Sequence, residues 1–234
     1  PTSAKTRIGG ECISFTGKYI SFIGKSAHAE SHPEEGINAM DAMTLFHQAV
    51  GVSRQQLPDD LHICDVVTQI SNDIGQIPSH AKIEVELSSM NSKHIALGNR
   101  VIERIAKGIA IATDCNVEIE EIPGYLGRVP NQVLGDICRE ELIALGEPVM
   151  EGMPPDKGGE DLGDVSRIIP SCNLFGTIYP NKKISGHTIL FKEAAISEEA
   201  KHCLNITSKA MALTIIKLFQ EPTLLQQAKK ELKE

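Results

Sequence analysis

Between Cys12 and Ile122 the hydrophobic period switches back and forth between that of a strand and that of a helix, and the order of the switches limits the fold more than any other property of the chain. From Cys12 to Gly24 polar residues alternate with Ile13, Phe15, Tyr19 and Ile23, the period of a half-buried strand or hairpin. Ala39, Ala42, Leu45, Phe46, Ala49 and Val50 then recur every three or four residues, a helical stripe that Pro58 terminates. Two strand candidates follow, Leu61 to Ile70 and Ala81 to Leu87, separated by the turn-forming Asn72-Asp73-Ile74-Gly75. A long helix comes next, with Ile102, Ile105, Ala106, Ile109 and Ala112 inward and Arg100, Glu103, Arg104 and Lys107 mostly toward water. Asn116 to Ile122 reads as the last strand.

This β-α-β-β-α-β order predicts an α+β domain of ferredoxin-like type, a four-stranded antiparallel sheet with two helices on one face. Pro123-Gly124 and the loop Gly127 to Pro130 mark its end, so the expected organisation is a linker over 1–10, this domain over 11–123 and a second part over 124–234. The second part opens with a helix over 131–145 that turns Val133, Leu134, Ile137, Cys138 and Leu142 inward. A long Gly-, Pro- and acid-rich loop, Glu147 to Gly163, follows, and loops of that length are seldom idle. A strand near Cys172 to Tyr179, a helix from Ser197 to Phe219 and a charged helix or frayed tail from Thr223 complete it. Ala200, Leu204, Thr207, Met211, Ile215 and Leu218 are the expected inward stripe of the long helix. With so few strands, this part needs a partner sheet.

Charge and composition remove several function classes. The 234 residues carry 23 Lys+Arg against 31 Asp+Glu, a net −8, without a basic stripe, which argues against nucleic acid as a partner. No run approaches the length of a membrane span, and Pro1 to Arg7 lacks the apolar core of a secretory signal, so no membrane partner is expected. Six scattered cysteines without a C-x-x-C pair read as reduced, mostly buried thiols in a cytoplasmic protein. Asn205-Ile206-Thr207 is a chance glycosylation sequon inside a helical stretch.

Two histidines stand out. Gly24-Lys25-Ser26 is not the end of a P-loop, because Tyr19 occupies the position where that motif needs glycine. His28, just beyond it, lies between a strand and a helix among small residues that let its ring reach outward. His187, in Ser-Gly-His-Thr, follows a loop bearing Gly158, Gly159, Glu160, Asp161 and Asp164; a histidine with carboxylates can hold a zinc-class metal, and the same acids can equally be solvated loop charges. The zincin, hydrolase-elbow and dinucleotide motifs are absent.

Taken in order, Gly24-Lys-Ser-Ala-His28-Ala, Pro33-Glu-Glu-Gly36-Ile-Asn38-Ala39, Gly159-Glu160-Asp161-Leu-Gly163-Asp-Val-Ser166 and Gly186-His187-Thr188 resemble the metal-dependent aminoacylase and carboxypeptidase superfamily. The nearest branch in character holds aminobenzoyl-glutamate hydrolases, indole-acetyl-amino-acid hydrolases and related dipeptidases. The resemblance implies a ferredoxin-like satellite domain that mediates homodimerisation through residues 11–123, joined to the C-terminal part of an α/β zinc-peptidase domain. It implies that His28 is a catalytic histidine lent to the partner subunit, polarising the scissile carbonyl or holding the oxyanion. His187 would be a metal ligand, Asn38 and Gly159 would bind substrate, and Glu160 and Asp161 would shape the wall beside the metals. The implied cofactor is two divalent metal ions, zinc first, with manganese or cobalt as alternatives, and the implied substrate is a small N-acyl amino acid or dipeptide-like amide.

Members of that superfamily carry an earlier half with the other metal ligands and a glutamate base, so the chain is expected to be the back portion of such an enzyme and inactive alone. Two positions depart from the family pattern. Its Asn-x-Ile-Pro reads Gly75-Gln76-Ile77-Pro78 here, and Ser88 stands where an arginine usually grips the substrate carboxylate, a role that Lys82 or Lys93 could take over. The competing expectation is a non-catalytic homodimerisation module.

Overall fold

The computed structural model describes residues 4–71, 73–180 and 182–233. The chain forms two compact units, Ile13–Leu126 and Pro1–Cys12 with Gly127–Glu234.

In the first unit four strands, β2 (Ser14–Ile23), β3 (His62–Ile70), β4 (His80–Ser89) and β5 (Asn116–Tyr125), alternate with helices α1 (Ala39–Ser53) and α2 (Ser92–Ala112) in the expected β-α-β-β-α-β order. The sheet is antiparallel throughout, with spatial order β3-β4-β2-β5. This is the strand order of a split βαβ motif, in which the first strand takes a central place. Period-two alternation sends Ile20, Phe22, Ile83, Val85 and Leu87 to one face, where α1 adds Ala42, Met43 and Phe46 and α2 adds Ile95, Ile102 and Ala106 in one buried cluster. Side chains start both helices: Asn38 Oδ1 accepts from the Met40 N–H, and Asn91 Oδ1 from the Lys93 N–H.

Two details differ from the expectation. The last strand runs on through Pro123-Gly124 to Tyr125, because a register shift opposite Phe15 and Gly17 lets it continue. A Cβ on Gly124 would overlap the Phe15 carbonyl, so glycine there permits strand contact rather than marking a boundary. Lys18, on the helix-facing side of β2, is 2% exposed; Glu103 of α2, at 3.1 Å, and Glu121 of β5 neutralise it. Of the expected turn before β4, Asn72 lies outside the described residues, while Asp73 accepts from the Gly75 N–H at 2.9 Å.

The start of α2 is tied to a charged latch. Asp60 accepts from the Ser89 hydroxyl at 2.5 Å and lies 2.5 Å from His94 Nδ1. The Ser89 hydrogen bond, reinforced by His94, holds the Asp60 carboxyl below the usual carboxylate range. A depressed folded-state pKa stabilises the fold above the unfolded-state value and loses that contribution as pH falls through the folded value. Ser89→Ala removes the largest cause and leaves His94, which brings the two values closer, so chemical unfolding measured across acid pH should show a smaller pH-dependent loss than in the wild type.

The second unit corrects the expected linker. Residues 6–12 are woven into it: β1 (Arg7–Ile8) pairs antiparallel with β6 (Leu174–Phe175), and Thr6 and Cys12 form bridges with Val149 and Asp156. Ile8 is fully buried with Cys138, Leu142 and Ala210. The expected strand near Cys172–Tyr179 shrinks to β6, and two short helices, α4 (Leu162–Ser166) and α5 (Ile189–Ala194), punctuate the loops. Helix α3 (Gln132–Ala144) packs against α6 (Glu198–Gln220) and α7 (Pro222–Glu231). The tail docks: the Glu231 carboxylate accepts from the N–H groups of Gln132 and Val133, filling the start of α3 with charge of the favourable sign.

The expected inward stripe of α6 is largely exposed. Leu204 is 69% and Met211 57% exposed, and the side chain buried in this helix is Ala210. Period alone locates an apolar stripe without stating what covers it. Among the described residues no helix is long and apolar enough to cross a membrane.

Candidate active-site elements

His28 is presented by two short bridges. Gly24 ends β2 where a Cβ would overlap the Ile37 carbonyl oxygen; glycine allows Lys25 and Ile37 to exchange backbone hydrogen bonds of 2.9 Å. Beyond it, Ile77 N–H donates to Ala27 O at 2.9 Å and Ala29 N–H to Gly75 O at 3.0 Å, which fixes His28 opposite Gln76. The Gln76 side chain braces the same segment, accepting from Ser26 Oγ at 3.1 Å and donating to Asp73 at 3.1 Å. Thus Gln76, beside the Gly75 that departs from the family pattern, supports the histidine loop. It escaped sequence reasoning because the brace joins residues 50 apart.

The imidazole itself has a defined tautomer. His28 Nδ1 accepts from the backbone N–H groups of Glu30 and Ser31, at 3.3 and 3.2 Å. A neutral ring that accepts at Nδ1 carries its proton on Nε2, and this exposed residue therefore offers one N–H donor to whatever lies beyond it. Asn38 occupies the cap of α1 with its Oδ1 engaged, so that its remaining hydrogen-bonding capacity is that of an amide N–H donor. Ser88 is half-buried in β4 opposite Phe15 and His62. Lys82 lies 4.3 Å over the Tyr19 ring and 3.9 Å from Glu120 on the sheet, so its charge is already balanced.

In the second unit Glu160 is part of a buried ion network. Arg128, 2% exposed, donates Nε–H to Gly10 O at 2.8 Å, one fork arm to Asp156 at 3.2 Å and the other to Glu160. Arg7 grips Asp156 with both arms, at 3.0 and 2.5 Å, and stacks 4.3 Å over the Phe175 ring. Asn173 Nδ2 donates to Glu160 at 2.5 Å. Two guanidinium groups thus face two carboxylates. Sequence reasoning missed Arg128 and Asn173; its one signal was an arginine in the loop Gly127 to Pro130. Gly159 precedes the network, and Asp161 is exposed at the start of α4 without a side-chain cap.

His187 is exposed and adopts φ +57°, a left-handed conformation uncommon outside glycine. The next residue, Thr188, caps α5 by accepting from the Phe191 N–H at 3.2 Å. The expected residues therefore divide, His28 and Asn38 in one unit and Gly159, Glu160, Asp161 and His187 in the other. Among the described residues no group of three His, Cys, Asp or Glu side chains is placed to hold a metal ion.

No protein-family model matches the chain. It is 29% identical over 221 residues to the Xaa-Arg dipeptidase of Mus musculus, an alignment covering 92% of this chain and 50% of that protein. This similarity to a dipeptidase over nearly the whole chain is in line with the resemblance carried by the motifs around His28 and His187. Its fold matches the crystal structure of AtUAH in complex with glyoxylate with a TM-score of 0.70 and 16% identity, covering 96% of this chain and 49% of that one. An amidase of the hydantoinase/carbamoylase family from Burkholderia multivorans matches with a TM-score of 0.59 and 14% identity, covering 94% and 50%. The chain spans about half the length of the curated relatives it matches.

Proposed function

We propose that this chain is part of a metal-dependent hydrolase of small amides, N-acyl amino acids or dipeptides, in which His28 donates a hydrogen bond to the oxyanion. The observation that carries this reading is the tautomer of His28: two backbone N–H groups occupy Nδ1, and the proton is left on Nε2, facing out. Amide hydrolysis passes through a tetrahedral species whose oxygen gains charge, and a fixed neutral donor stabilises that charge without being consumed. Dipeptides ending in arginine are the first substrates to try, since a relative bears the name Xaa-Arg dipeptidase. Asn38 and Gly159 would contact the substrate, and Glu160 and Asp161 would wall the site, Glu160 being held in place by Arg128 and Asn173.

His187 would be the donor this chain adds to a site for two divalent cations, zinc first. The described residues hold no group of three such donors, so the other ligands would come from outside them. The second half of the reading is a homodimer through residues 11–123. It is supported by the free edge of β3, where Val66 is 58% exposed and a second copy could add strands or cover apolar surface. The free thiols support a reducing, cytoplasmic setting.

In the whole protein, His28→Ala should lower kcat by about 10²–10³-fold with KM little changed, the usual effect of losing one oxyanion donor. His28→Gln, which restores an N–H, should recover part of it. Loss of the dimer in ultracentrifugation with normal turnover would instead support the scaffolding role. The 234-residue chain alone, saturated with zinc, should release no amino acid from such dipeptides; measurable turnover would overturn the view that the remaining machinery is supplied from elsewhere.

A further inference from the structure

One loop, Asp73 to Pro78, touches both the segment that carries His28 and the start of the helix that Asn38 caps. Its far end is anchored. Pro78 O accepts from the Ala39 N–H at 2.8 Å, and Ile77 packs so closely on Gly36 that a Cβ there would lie 2.9 Å from Ile77 Cγ1. Its near end lies in water, where Ile74 is fully exposed. Gln76 stands between the two, and its side chain closes a circuit. The amide oxygen accepts from Ser26 Oγ and the amide nitrogen donates to Asp73 Oδ2, both at 3.1 Å. Asp73 Oδ1 accepts from the Gly75 N–H at 2.9 Å, and Asp73 O from the Gln76 N–H at 3.3 Å. A carboxylate only accepts, so the amide can face one way, with its NH₂ toward Asp73 and its oxygen toward Ser26.

We propose that Gln76 is a positioning residue for His28, acting through the side-chain relay Asp73–Gln76–Ser26; this rests on the reading of His28 as an oxyanion donor. The His28 turn hangs on the loop by two backbone bonds that flank Gln76, from Ile77 N–H to Ala27 O and from Ala29 N–H to Gly75 O. The first is backed by the packing of Ile77 on Gly36. The second depends on Gly75, whose place is set by Asp73 and, through Asp73, by Gln76. Ala29 lies in the turn where the His32 N–H returns to His28 O at 3.1 Å and the Glu30 and Ser31 N–H groups reach His28 Nδ1. Releasing the Gln76 side chain frees Gly75, and with it the turn that keeps Nδ1 occupied and the Nε2 proton aimed.

Each of these side-chain bonds is exposed and worth little by itself, although the one to Asp73 is charge-assisted. Their effect is geometric. Displacing a catalytic group by about 1 Å can cost about 10²-fold in rate, so a weak brace under a donor has a large lever.

In the whole protein, Gln76→Ala should lower kcat about tenfold with KM little changed, and should add nothing in a His28→Ala background, where no imidazole is left to place. Gln76→Glu sets a carboxylate against that of Asp73 and should lose as much. Adding Asp73→Asn turns the pair round: the amide now donates from position 73, the carboxylate at 76 still accepts from Ser26, and most of the rate should return. A second readout needs no turnover. In the 234-residue chain, at a pH where the ring is neutral, nitrogen NMR of His28 should show the single form protonated on Nε2. Gln76→Ala should move both ring signals toward the average of two exchanging tautomers, and the swapped pair should move them back. Unchanged ring signals in Gln76→Ala, a rise in KM in place of the fall in kcat, or a loss that persists in full beside His28→Ala would each overturn the proposal. A normal rate for His28→Ala would sink the oxyanion reading instead, and the ring signals would then decide by themselves whether Gln76 places His28.

Discussion

Replacing Arg128 with alanine should destabilise the chain by about 3–5 kcal/mol, the range seen when one member of a buried ion pair is removed and its partner is left uncompensated. The guanidinium is 2% exposed and serves three acceptors, Gly10 O, Asp156 and Glu160. Asp156 retains both arms of Arg7, so the orphan is Glu160, whose side chain is 28% exposed and would keep only Asn173. Arg128→Lys should recover part of the loss, because an ammonium is a point charge that cannot fork to all three acceptors at once. Adding Glu160→Gln to Arg128→Ala should recover more, since it removes the stranded charge. A urea titration followed by circular dichroism gives the values, and the double variant gives the coupling. A loss below about 1 kcal/mol for Arg128→Ala would mean that Glu160 turns to water at little cost, and that the network does not hold the acidic wall.

Phe46→Ala should cost a similar amount, about 3–5 kcal/mol, by a different route. The ring is fully buried, lies 5.9 Å from that of Phe22 and fills the layer between α1 and the sheet. Truncation removes its transfer free energy and leaves a cavity that Met43 and Val50, held on the same helix, can close only in part. Phe46→Leu keeps most of the volume and should lose distinctly less. The same denaturant titration checks both. Equal effects for alanine and leucine would show that the aromatic geometry rather than the filled volume matters, which would overturn the cavity account.

How much of this was legible beforehand depends on the range of the interaction. The strands and helices of Ile13–Leu126 follow from repeats of two and 3.6 residues, because burial of one face imposes a period on neighbouring positions. The segment around His28 was readable in the same local way as a loop between strand and helix, whereas the cap roles of Asn38 and Asn91 emerge from their side-chain bonds. The tautomer of His28 was not, since it depends on where the Glu30 and Ser31 amides point after the turn. The stripe on α6 was legible as a stripe, yet Met211 and Ile215 face a cleft instead of a packed neighbour. Reading Pro123-Gly124 as a break was the local expectation, and contact with Phe15 overrode it.

The sequence by itself determined the succession of elements between residues 12 and 122, the net acidic charge of the chain, and a likeness to amide hydrolases carried by short motifs around His28 and His187. Tertiary structure alone decided that Arg7 and Ile8 join Leu174 and Phe175 as paired strands, and that Arg128 bridges Asp156 and Glu160. The division has a physical cause. Hydrophobic periodicity is a property of residues three or four apart and leaves its mark on the string of letters. An ion pair is settled by which distant groups must share the same dry volume, and no spacing along the chain records that.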